Sequence, residues 1–173
     1  MQKISPFLWF NDQAEAAAKF YVSVFKKNSK IVQIARYTGS GPGKKGSVMT
    51  VYFRLAGQDL IALNGGPQFT FSPAFSLVVS CATQREIDYF WKKLSSNPAA
   101  EQCGWLQDKF GFSWQIVPTF IGKVMGAKDA SQAERVMAAV MQMKKLDLTS
   151  LEAAAAGGAP ARKRKPKRRR GRI

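Results

Sequence analysis

Histidine is absent from the 173 residues of this chain, cysteine occurs twice, and 11 acidic side chains face 27 basic ones. Without histidine the chain lacks the commonest metal ligand and the side chain that most readily exchanges a proton at neutral pH. The two cysteines, Cys81 and Cys103, have no metal-ligand spacing. No apolar run approaches the ~20 residues of a membrane span, and "MQKISPFLWF" has no apolar segment followed by a small-residue cleavage site. These absences lead us to expect a soluble protein of the reducing cytoplasm, without membrane contact, divalent metal or other cofactor.

The charge is unevenly placed. Arg162, Lys163, Arg164, Lys165, Lys167, Arg168, Arg169, Arg170 and Arg172 contribute nine of the 27 basic residues, so the formal +16 divides into +9 after Pro160 and +7 before it. A segment so charged and so poor in apolar residues is expected to be disordered. It is a candidate for non-specific contact with nucleic acid, through phosphates rather than bases.

What remains reads as alternating strands and helices. "KISPFLWF" has the pattern of a buried strand, and "QAEAAAKFYVSVF" places Ala17, Phe20, Tyr21, Val24 and Phe25 at helical spacing behind a cap at Asn11 or Asp12. "KIVQIARY" alternates as a strand, "TGSGPGKKGS" is a loop, and "VMTVYFRL" and "DLIALN" form a hairpin about Ala56 and Gly57. A shift of 69 residues lays "FLWFNDQAEAAAKFYVSVF" over "SLVVSCATQREIDYFWKKL" without a gap. "EQCGWLQDKFGFSWQIVP" then supplies a second hairpin with its turn near Asp108 to Gly111. The expected fold is α+β: tandem βαβββ units, about 3–66 and 72–120, within a domain over 1–128. A helical extension follows over 129–157, with Ser131 and Glu134 as a capping box, Val136, Met137, Val140, Met141 and Met143 on one apolar face, and a short last helix ending at Gly157. The basic tail occupies 158–173.

The stretches "ISPFLWFNDQAEAAAKFYVSVF", "LNGGPQFTFSPAFSLVVSC", "DYFWKKL" and "CGWLQDKFGFSWQIVP" resemble the vicinal oxygen chelate superfamily of glyoxalases, extradiol dioxygenases and fosfomycin- and bleomycin-resistance proteins. Within it the resemblance is to the PhnB-like branch, whose members often bear the label 3-demethylubiquinone-9 3-methyltransferase. The resemblance implies curled mixed sheets, a homodimer, and, in metal-using members, ligands on the first and last strands of each unit. By the repeat those positions are Pro6, Ile61, Phe75 and Gln115. One neutral amide among apolar side chains cannot repay the desolvation of a divalent ion. A methyl donor of nucleotide type is usually held by a glycine-rich turn between a strand and a helix. The glycine cluster here leads into a strand, so methyl transfer is not expected.

If Pro6 and Gln115 face inward, alternation along each strand sends Leu8, Phe10, Ile61, Leu63, Leu77, Ser113 and Val117 to the same side. With Phe75 these residues outline an apolar cup, which Asn64, Cys103 and Trp105 would border, suited to a small, mostly apolar ligand oriented by Gln115. A core filled by its own side chains is the plainer alternative, with Asn64 and Asp108 in local turns. Two other readings stay open. One is a lyase, isomerase or dioxygenase type of enzyme with an altered site, using Gln115, Cys103 or a lysine such as Lys92, Lys93 or Lys109. The other is a nucleic-acid-associated protein acting through its tail.

Overall fold

The computed structural model describes residues 2–158, so the basic tail lies outside the described residues apart from its first position. The first unit runs β1 (Phe7–Phe10), α1 (Ala14–Phe25), β2 (Lys30–Arg36), β3 (Val48–Leu55) and β4 (Gln58–Asn64). The second runs β5 (Ser76–Cys81), α2 (Gln84–Leu94), β6 (Trp105–Gln107) and β7 (Ser113–Pro118). α3 (Thr119–Met125), α4 (Ala130–Met141) and α5 (Leu148–Ala155) form the extension. The 69-residue shift survives as structure to within one residue: Phe7 opens β1 where Ser76 opens β5, 69 positions on, and Ala14 opens α1 where Gln84 opens α2, 70 positions on.

Each unit builds one mixed sheet, of order β1-β4-β3-β2 in the first and β5-β7-β6 in the second. The first and last strands of each unit pair in parallel, Phe7 opposite Ile61 and Ser76 opposite Ser113, while β3 with β4 and β6 with β7 are hairpins. The second sheet is one strand short of the first: where the repeat calls for a counterpart of β2, a 3-10 turn over Pro98–Ala100 stands, capped by Asn97. Pro98 has no N–H to give a ladder, and its fixed φ suits the first position of that 3-10 turn. The β3–β4 turn takes Ala56 and Gly57 through φ of 48° and 92°, as a two-residue hairpin requires.

Both sheets turn the same kind of face toward a shared core. Ala14, Ala17, Ala18, Tyr21 and Val24 are the buried residues of α1, and the three alanines let its backbone lie close against Leu8, Phe10, Val51, Phe53, Leu60 and Ala62. Val79, Cys81, Ile87, Leu94, Leu106, Trp114 and Ile116 belong to the same cluster. Tyr21 and Phe25 of α1 reach Trp114 of the second sheet at ring centroid distances of 5.2 and 5.5 Å.

Two expected caps differ. α1 starts after Gln13, which gives no side-chain cap, and the N–H of Ala14 instead donates to Asn64 Oδ1 at 2.7 Å from the end of β4. A cap supplied from 50 residues away cannot be read from local sequence. α2 carries a full capping box, Thr83 with Glu86. α4 is capped by Asp129, which accepts from the Gln132 N–H at 3.0 Å, while Ser131 is inside the helix and bonds Asp129. A carboxylate reaching the N3 amide displaces the serine from that role. The extension has its own small core of Val124, Val136, Val140, Leu146, Leu151 and Ala155. Met137 and Met141, expected on the apolar face, are 43% and 54% exposed. α5 ends at Ala155 with Ala156 as its C-cap, and Gly157, the expected end, follows with φ of 80°.

Candidate functional site

The strand register sorts the expected cup residues onto two faces. Leu8 lies opposite Ala62 and Phe7 opposite Ile61, and paired residues share a face of a sheet. Leu8 and Phe10 are therefore on the helix side with Ala62 and Leu60, and they are core residues at 1% and 3% exposure. Ile61 and Leu63 are on the opposite side with Phe7 and Trp9. In the second sheet Leu77 pairs with Trp114 and Val78 with Gln115, so Leu77 also belongs to the helix side. Alternation along one strand fixes its two faces but not which face matches a neighbour's, and Leu8, Phe10 and Leu77 are corrected for that reason.

Asn64, too, faces the helix. Its Oδ1 caps α1 and its Nδ2 donates to the Val48 carbonyl at 3.1 Å, while the Tyr37 hydroxyl donates to its backbone carbonyl at 2.7 Å. It fastens α1, β3 and β4 together. Trp9, which packing under α1 would have buried, stands on the other face, where its Nε1 donates to the Gly66 carbonyl at 2.9 Å and Phe69 meets it edge-on. A Cβ at Gly65 would come within 2.3 Å of that indole, which is why glycine stands there.

The open face of the second sheet gathers Gln115, Trp105, Val78 and Ser76. Gln115 sits on the central strand, flanked by Val78 on β5 and Trp105 on β6. Its Nε2 donates to Ser76 Oγ at 2.9 Å. That bond uses one of the two amide hydrogens and leaves the Oε1 acceptor for another partner. Ser113 is two residues away on the same strand and is buried, opposite Ser76. Phe75 precedes β5, half exposed, with its ring edge toward Phe112 at 6.1 Å. The chemistry of this face is an amide and a hydroxyl set between an indole and an aliphatic side chain. Phe7, Ser76 and Val78 were missed from the sequence; their signal lies in inter-strand register.

Cys103 does not join this face. Its thiol turns to the extension, where Sγ lies 3.8 Å from Met141 Sδ. The other thiol, Cys81, is fully buried, and burial pushes it up to about 12, with Glu86 adding to the shift. Asp108, at 3% exposure, accepts from the Tyr21 hydroxyl at 2.8 Å, the Trp114 Nε1 at 2.7 Å, and the N–H groups of Phe110 and Phe112 at 2.8 and 3.1 Å. Burial raises its pKa above the ordinary carboxylate value against the pull of those bonds, and burial followed by the Asp108 charge raises that of Tyr21 well above the phenol value. All four acceptor positions of Asp108 are engaged inside the protein, so it is a structural joint.

A cavity of about 430 Å³ opens elsewhere, at the start of α1, between Asn11, Asp12, Glu15 and the glycine-rich loop over Tyr37. Of the expected cup residues only Asn64 lines it. The loop's glycines serve this closure, since a Cβ at Gly43 would meet the Tyr37 ring at 2.2 Å.

A family model described as 3-demethylubiquinone-9 3-methyltransferase matches residues 2–117. The chain belongs to that family. A solved Bacillus cereus structure described as a putative 3-demethylubiquinone-9 3-methyltransferase, PhnB protein, is 43% identical, with a TM-score of 0.57, over 68% of this chain and 99% of that one. Protein PA1353 from Pseudomonas aeruginosa is 17% identical over 68% and 98% of the two chains, with a TM-score of 0.50. A glyoxalase/bleomycin resistance protein from Albidiferax ferrireducens T118 is 16% identical over 68% and 98%, with a TM-score of 0.42. No curated protein matches. The architecture of this PhnB-like chain is α+β and glyoxalase-like, with two mixed sheets of βαβββ type.

The residues do not fit the divalent metal that the resemblance to the vicinal oxygen chelate superfamily implies for metal-using members. The open-face positions on first and last strands hold Phe7 and Ile61 in one unit, and Ser76, Val78 and Gln115 in the other. Among the described residues no three His, Cys, Asp or Glu side chains gather where they could hold an ion. The glycine-rich loop joins β2 to β3, so no helix N-terminus follows it. No helix among the described residues is long and apolar enough to cross a membrane.

Proposed function

We propose that this PhnB-like protein binds a small, mostly apolar molecule, without a divalent metal, in a cup that two copies of the chain complete. The observation that carries the reading is the open face around Gln115: a spare amide acceptor beside Ser76, walled by Trp105 and by Val78, which is 57% exposed. An aromatic or aliphatic ligand carrying one hydrogen-bond donor matches that surface. The two open faces of one chain cannot close on each other, because their reverse sides share a single core. A second copy would bring its first-sheet face, with the half-exposed Phe7 and with Ile61 and Leu63, over the Gln115 face. Nothing in this reading calls for methyl transfer.

Sedimentation of the full chain should show a dimer, with Val78→Asp shifting it to monomer. Native mass spectrometry of the dimer should reveal a small molecule carried from expression, lost or reduced in Gln115→Ala. A monomer at all concentrations, together with no small-molecule mass, would sink the proposal.

A further inference from the structure

Sulfur is concentrated in one part of the chain. Four of the six methionines, Met125, Met137, Met141 and Met143, fall between residues 125 and 143. Three of them, Met125, Met137 and Met141, are exposed, which core packing does not require. Cys103 meets this group from the other side, its Sγ 3.8 Å from Met141 Sδ. Both sulfurs hang on fixed backbone. The Cys103 N–H donates to the Met143 carbonyl and the Gly104 N–H to the Lys144 carbonyl, each at 2.8 Å, so the thiol is clipped to the turn that follows Met141, the last residue of α4. Cys103 has a φ of 52°, a left-handed conformation that costs a non-glycine residue about 1 kcal/mol.

A thiolate and thioethers are soft ligands that suit copper(I)-like ions over magnesium or calcium, and a set with one thiolate and otherwise only thioethers lacks the further Cys, His or carboxylate ligands that zinc sites use. Metal–sulfur bonds of about 2.3 Å at tetrahedral or trigonal angles put neighbouring sulfurs about 4 Å apart. The Cys103–Met141 separation is already at that value. Met137 lies one turn back on the same side of α4, at the i, i+4 spacing that brings helix side chains together. Glu101, the acid nearest in sequence, is engaged with Ser95 and Lys144. Charge also favours a monovalent ion: it would replace the thiol proton, so binding adds no net charge to a chain already at +16.

We propose that Cys103, Met141 and Met137 form a surface site for one soft monovalent metal ion, copper(I) or silver(I), at the seam between the second sheet and the extension. The site is independent of the cup, and the Cys103 thiol releases its proton to solvent as the metal–sulfur bond forms. The test is anaerobic titration of the reduced full-length chain with copper(I) against bicinchoninate as competing chelator, with zinc(II) in a parallel arm. The expected result is one copper(I) per chain, a sulfur-only shell by X-ray absorption, and no retained zinc. Cys103→Ser should abolish binding, and the double variant Met137→Leu, Met141→Leu should weaken it by about tenfold or more. Both methionines are exposed, so circular dichroism of the double variant should match the parent. Parent-like copper(I) affinity in the thioether-free variant, or zinc(II) held as tightly as copper(I), would overturn the proposal.

Discussion

Asp108 shows how one side chain can fix the relation of two repeats. It belongs to the second unit, Tyr21 to the first, and their bond is buried. Asp108→Ala would leave the Tyr21 hydroxyl and the Trp114 indole N–H without their partner, at ~1–3 kcal/mol each. We expect a loss of about 3–5 kcal/mol in urea unfolding. The pH dependence has a definite sign. A carboxyl whose native pKa is raised holds its proton more tightly when folded, so its contribution is complete below the unfolded value and is lost as pH rises through the native one. The stability of the parent relative to Asp108→Asn should therefore grow as pH falls from 7 toward about 4. Urea midpoints of the two proteins at both pH values give the comparison. The thiols make a second contrast at this scale: at pH 8 iodoacetamide should label Cys103, which is partly exposed, and spare Cys81, whose thiol burial holds at about 12. Two labels per native chain by mass spectrometry would contradict that burial.

At the scale of elements, Asn64 is the case where local reading and structure part. Asn64→Ala removes the cap of α1 and a tie to β3 together, and should cost about 1–2 kcal/mol with some loss of helical signal at 222 nm. Gly65→Ala should displace the Trp9 ring, visible as a shift in tryptophan emission, and cost about 1–3 kcal/mol. The hairpins and the helices α1, α2, α4 and α5 were legible from the spacing of Ala17, Tyr21 and Val24, the Ala56–Gly57 turn, and the repeat that carries β1 to β5 at 69 residues, whereas α3 (Thr119–Met125) was not read from the sequence. The sidedness of the cup was not legible. It depends on Leu8 lying opposite Ala62 rather than Ile61, a one-residue matter between strands 54 positions apart, and such a step exchanges every side chain between faces. For the same reason Gln115 was placed with residues that turned out to belong to the core, while its actual neighbours, Ser76 and Val78, went unnoticed.

For the whole molecule, the division of charge matters more than its sum. Nine basic residues fall at positions 162–172, beyond the described part of the chain, against a net +7 for everything before Pro160. If about six of them contact phosphates, DNA retention should drop roughly a thousandfold between 50 and 200 mM salt. Removing residues 161–173 should abolish retention while leaving the oligomeric state and the thermal midpoint as they were. Retention that persists in the shortened chain would place the contact on the folded body instead. The bond from Tyr21 to Asp108 has a consequence in time as well as in space. The chain is made from its N-terminus, and 87 residues separate the donor from its acceptor. At ~5–20 residues per second, the ribosome needs roughly 4–17 s to add that distance. During that interval the nascent first unit carries a phenol, and an aromatic helix face, meant for a partner not yet synthesised. The window invites chaperone contact or pairing between neighbouring nascent chains, and it closes when the second hairpin emerges.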